Sequence, residues 1–142
     1  MKILVATDGS KHALRAVKFA AKLIAQMRTP AKKITLISVH DDVSLRHARS
    51  FVGASVVDDY LRELSEKELK PARKALDDLD IKHDMVISTG PVAQEIVAFA
   101  DKGKFDMIVL GCKGRSAVAD LLIGSVAQRV QAHARQPVVL VK

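Results

Sequence analysis

The groups best suited to chemistry gather late in the chain. Gly111, Cys112, Lys113 and Gly114 are followed by Arg115 and Ser116, and nine residues separate Gly114 from Gly124 and Ser125. Glycine admits positive φ and lets a backbone come close to a ligand. Ser125 stands where a helix N-cap would, before Val126, Ala127, Gln128, Arg129 and Val130, and the exposed N–H groups of a helix start favour an anion. Phosphate is the ligand chemistry this spacing points to, with Lys113 and Arg115 able to add charge and Ser116 a hydroxyl. The plainer alternative is a loop and a cap that serve only the chain's own turns. Met107, Ile108, Val109 and Leu110 directly precede the glycines and read as one buried strand. The glycine segments thus lie past a strand's carboxyl end, where α/β sheets bind ligands.

Other reactive groups are scattered. Asp8 follows the first apolar run, in Thr7-Asp8-Gly9-Ser10. By itself it reads as a turn residue closing that segment. Asp41 and Asp42 follow the second run, where a dinucleotide fold places its ribose-binding acid. Gly-x-Gly-x-x-Gly is missing after the first strand, however, which argues against a dehydrogenase. A P-loop motif and a hydrolase nucleophile elbow are also missing. His12, His40, His47, His83 and His133 show no metal-ligand spacing. Cys112, beside a helix start and Lys113, is either a reactive thiol or a small filler.

The elements that must position these groups follow from hydropathy. Residues 2–7 form a strand, and Ser10 caps a helix whose buried face is Ala13, Leu14, Val17, Ala20, Ala21, Ile24 and Ala25, ended by Thr29-Pro30. Residues 34–39 form a second strand. Residues 40–55 are polar and irregular, and read as a loop over the sheet's carboxyl edge. From Val56 or Val57 a long helix buries Tyr60, Leu61, Leu64, Leu69, Ala72, Ala75, Leu76 and Leu79, with a kink or break at Pro71. Strands at 82–89, 105–110 and 138–141 alternate with helices at 92–100 and 126–134. This alternation predicts an α/β fold with a parallel sheet and helices on both faces.

Composition narrows the class. The 142 residues suggest one domain over residues 1–142. There is no apolar run of membrane-spanning length, and the first residues lead straight into a strand pattern rather than a secretory signal. The single cysteine excludes an intrachain disulfide, which suits a cytoplasmic location. The net charge of +7 allows a nucleic-acid partner, but there is no run of five like charges and few aromatics to stack on bases. The expectation is no nucleic acid and no membrane.

Gly111-x2-Gly114-x9-Gly124-Ser125, with the opening Ile3-Leu4-Val5-Ala6-Thr7-Asp8-Gly9-Ser10, resembles the universal stress protein family of the nucleotide-binding type, over nearly the whole chain. Cys112 departs mildly from the small or polar residue usual there. The resemblance implies a Rossmann-like, adenine nucleotide alpha hydrolase-like fold with strand order 3-2-1-4-5. It implies ATP, or AMP or ADP, as ligand, with Mg2+. Ala6, Thr7, Asp8 and Val39 would line the nucleoside side. Leu110, Gly111, Gly114, Arg115, Ser116, Gly124, Ser125 and Val126 would surround the phosphates, met by the N–H groups of Arg115, Ser116, Ser125 and Val126. The implied role is a stress-response switch acting on a dimer or partner, not an efficient enzyme, since no general base or nucleophile stands out; weak ATP hydrolysis is the most it implies. The alternative is a dimeric stress-related interaction protein that binds no nucleotide. The expected homodimer forms through residues 137–141, because Pro137 leads an edge strand, Val138-Val139-Leu140-Val141, too apolar to leave uncovered.

Overall fold

Five apolar runs, each closed by turn residues, become five parallel strands. In the computed structural model the described residues are 1–41, 43–115 and 123–142, the side chain of Ser44 excepted. The order of elements is β1 (Lys2–Ala6), α1 (Lys11–Gln26), β2 (Lys33–His40), α2 (Val43–Val52), α3 (Ala54–Asp77), β3 (His83–Thr89), α4 (Val92–Gly103), β4 (Met107–Gly111), α5 (Ser125–His133) and β5 (Val138–Val141). The sheet runs β3-β2-β1-β4-β5, every pair parallel, as the family resemblance implied.

Side chains alternate across a strand, so one apolar run serves two cores. Ile3, Val5, Ile34, Leu36 and Val109 face α1 and α3, packing on Val17, Ile24, Leu69 and Leu76. Leu4, Ile37, Ile108 and Leu110 face α4 and α5, packing on Ile96, Ala100, Ala127 and Val130. The small residues Ala16, Ala20 and Ala21 of α1 are fully buried. Its start is fixed by Ser10, whose Oγ accepts from Ala13 N–H at 3.2 Å.

Three expectations are corrected. Residues 40–55 are not a loop: α2 occupies Val43–Val52, its first N–H donating to Asp41 Oδ1 at 3.0 Å. It packs on α3 rather than on the sheet and leaves Phe51 88% exposed. Nor is the long helix broken at Pro71; it runs unbroken from Ala54 to Asp77. Proline removes one hydrogen bond there, while buried Leu69, Ala72 and Leu76 hold both sides of it against the sheet. Tyr60 and Leu79, expected to be buried, are each 58% exposed; Val57, Ser65 and Glu68 are buried on α3 instead. No helix among the described residues is long and apolar enough to cross a membrane.

Candidate functional site

The winding of the chain reverses between β1 and β4, and their carboxyl ends open into a cavity of about 570 Å3. β1 and its turn supply Ala6, Thr7 and Asp8, and β2 supplies Val39. β4 and its loop supply Leu110, Gly111, Gly114 and Arg115; Gly124, Ser125 and Val126 enter at the start of α5. Ser116 and Asp42 lie outside the described residues. Sequence reasoning missed the apolar wall from Ile37, Val92 and Ile96, and did not separate His40 and Asp41, which also line the cavity, from an ordinary loop. Val92 and Ile96 read from sequence as partly inward on their helix, but as core rather than as cavity wall.

The three glycines of the segment do different things, and none has positive φ. A Cβ on Gly111 would lie 2.7 Å from the His12 carbonyl carbon and 2.8 Å from Ala13 N. Backbone cannot yield as a side-chain tip does, so Gly111 is what lets α1 start against the end of β4. Among the described residues a Cβ on Gly114 would meet the Asp8 carboxylate, 2.8 Å from Oδ2. On Gly124 it would make ordinary contact, at 3.4 Å from Cys112 O and Lys113 Cα.

Gly124, not Ser125, is the N-cap of α5; Ser125 is the first helical residue. The correction has a physical reason: Gly124 N–H donates to Cys112 O at 2.7 Å, which sets the turn one residue early. Among the described residues no side chain caps this helix, and its first N–H groups border the cavity.

Asp8 is both turn residue and cavity residue. Its Oδ1 accepts from Ser10 N–H at 2.9 Å and its Oδ2 from Arg115 N–H at 3.0 Å. The Arg115 N–H, expected to aim at a phosphate, is therefore bonded to the chain's own carboxylate. The Arg115 side chain is engaged too, with Nη1 2.5 Å from Glu68 Oε1. Sequence reasoning missed Glu68. The signal was present: Glu68 shares a helical face with Leu61, Ala72 and Leu76, where an acid is out of place unless paired.

Cys112 is buried, with Sγ 3.8 Å from His12 Nδ1. Among the described residues no group of three or more His, Cys, Asp or Glu could hold a metal by itself. The arrangement can accept an elongated ligand, one part against apolar side chains and an anionic part at the α5 start.

The sequence model of the universal stress protein family matches residues 1–142. The universal stress protein MJ0531 of Methanocaldococcus jannaschii is 33% identical over 141 residues, covering 99% of this chain and 81% of the relative. The solved structure of MJ0577, from the same organism, superposes with a TM-score of 0.85 at 28% identity, covering 99% of this chain and 94% of that one. A family member from Arabidopsis thaliana, solved with AMP bound, has the same fold, with a TM-score of 0.69 at 19% identity and coverage of 100% and 91%.

Proposed function

From the premise that the chain belongs to the universal stress protein family, we propose that its cavity binds an adenine nucleotide and that nucleotide occupancy switches how the protein engages a second copy or a partner. The observation that carries this reading is the polarity of the cavity. Ala6, Val39, Val92 and Ile96 offer an apolar surface to a base, and the start of α5, at Gly124, Ser125 and Val126, lines the same cavity. A helix N-terminus concentrates about half a positive charge, which suits phosphate. The AMP found in the Arabidopsis relative supports the ligand class. ATP is the ligand proposed here, with AMP or ADP as the shorter forms.

Mg2+ fits only as a passenger of the phosphates. Among the described residues the cavity has two carboxylates, Asp8 and Asp41, and Asp8 already accepts two backbone bonds. Asp8 would reach the metal, whose chemistry there is neutralisation of phosphate charge. No described side chain is placed as an obvious general base or nucleophile, so the proposed role is binding, with slow hydrolysis at most. The site is read as cytoplasmic. The homodimer is proposed through β5, an edge strand that pairs only with β4 and whose four residues are half-buried; Val139→Lys should weaken it in sedimentation.

A second reading, an interaction protein that binds no nucleotide, has one observation in its favour. Asp8 and Glu68 already occupy the N–H and the guanidinium of Arg115. Titration calorimetry with MgATP, with mass analysis of any nucleotide retained on purification, separates the two. Binding supports the first reading; its absence for ATP, ADP and AMP alike leaves the second.

A further inference from the structure

Arg115, the cation that follows Gly114, is paired from behind the cavity. Its Nη1 meets Glu68 Oε1, and the two side chains differ sharply in burial: 53% exposed for Arg115 and 7% for Glu68. The other oxygen of Glu68 lies 3.4 Å from Ser38 Oγ and 3.3 Å from His40 Nε2 at the end of β2. Gly9, at φ +78°, brings the β1–α1 turn onto the same glutamate, where an added Cβ would lie 3.2–3.4 Å from three of its carbons. One enclosed carboxylate on α3 thus ties together the end of β2, the first turn and the glycine loop.

That geometry has a consequence for charge. A phosphate at the start of α5 would meet not an arginine but an arginine–glutamate pair. Opposite unit charges at contact distance cancel at longer range, leaving only a dipole, and both lie well within a Debye length of the cavity. Resting on the nucleotide reading above, we propose that Glu68 sets the charge selectivity of the site. By neutralising Arg115 it makes the site favour nucleotides whose phosphate charge is small or offset by a divalent cation, and disfavour the metal-free triphosphate.

Calorimetric titration with adenosine, AMP and ATP, the last with Mg2+ and with chelator, tests this beside a thermal melt of each variant. Glu68→Gln should bind metal-free ATP at least tenfold more tightly, MgATP and AMP by a smaller factor, and adenosine within twofold of the parent. Arg115→Met should weaken metal-free ATP at least tenfold, again sparing adenosine. The double variant, uncharged at both positions, should return to within about threefold of the parent. Should one single variant fail to fold, the double is judged against the other: a double that reverses that variant's tenfold shift supports the proposal, and one that keeps the shift overturns it. Equal shifts for adenosine and ATP in Glu68→Gln reduce Glu68 to packing and overturn the proposal while leaving the nucleotide reading intact. A parent and variants that bind neither adenosine nor any nucleotide overturn both.

Discussion

Gly111 and Gly124 stand at the two ends of one spacing pattern, yet the molecule asks different things of them. Gly111 is pressed against backbone: a side chain there would collide with His12 and Ala13, at 2.7 and 2.8 Å. Gly124 has room for a Cβ, and its φ of −71° is open to any residue. The first glycine is demanded by the fold, because a strand end and a helix start cannot otherwise meet. The second is not, and what it leaves open is the space in front of uncapped helix amides. A single signature therefore mixes a glycine that packing demands with one that packing does not explain, and spacing alone does not say which is which.

The contrast is broken most directly at Gly111. Gly111→Val should cost about 3 kcal/mol or more, the upper range for overpacking against atoms that cannot yield. For a chain of this size that is near 10 °C in Tm, measured by calorimetric or dichroic melting. A melt within a degree or two of the parent would erase the distinction drawn above. Gly124→Val should instead stay folded, at a cost of about 1 kcal/mol for a poor N-cap residue. Its ATP affinity should fall at least tenfold, about 1.4 kcal/mol. Unchanged affinity in a folded variant would move the phosphates away from α5.

Two serines sharpen the same comparison at smaller scale. Ser10 caps α1 through Ala13 N–H, whereas Ser125 sits one position inside α5 and caps nothing. Ser10→Ala should lose about 1 kcal/mol in denaturant unfolding, and Ser125→Ala less than about 0.5 kcal/mol. Equal losses would restore Ser125 as a cap. The smallest effect is expected at Phe51, exposed on α2: Phe51→Ser should change stability by no more than about 0.5 kcal/mol.

How much of this could be read from sequence follows from what each element packs on. The strands and α1 were readable because the sheet takes continuous apolar runs and α1 shows a clean stripe ended by Thr29-Pro30. Strand order came from the family resemblance, not from periodicity. α2 was missed because it is short, half its residues are polar, and it rests on another helix with Phe51 and Val52 turned outward. Of the cavity residues, Ala6, Thr7, Asp8 and Val39 came from the family resemblance, while Gly111, Gly114 and Gly124 announced themselves by their spacing. The Glu68–Arg115 pair did not, because its partners come from α3 and the β4 loop, and only the folded chain brings them together. The same holds for the bond from Arg115 N–H to Asp8, which gave a phosphate donor in the sequence reading a different acceptor.

The bond between Asp8 and Arg115 also fixes a moment in the life of the chain. It joins residues 107 positions apart, across the pairing of β1 with β4. Closing so long a loop is entropically unfavourable and is repaid only when β4 inserts beside β1. A chain still being synthesised, made as far as α4, would own Ala6, Val39, Val92 and Ile96 without the loop that closes the cavity. The cavity comes into being only with the centre of the sheet, so a bound ligand acts on the finished fold and, by mass action, holds it there.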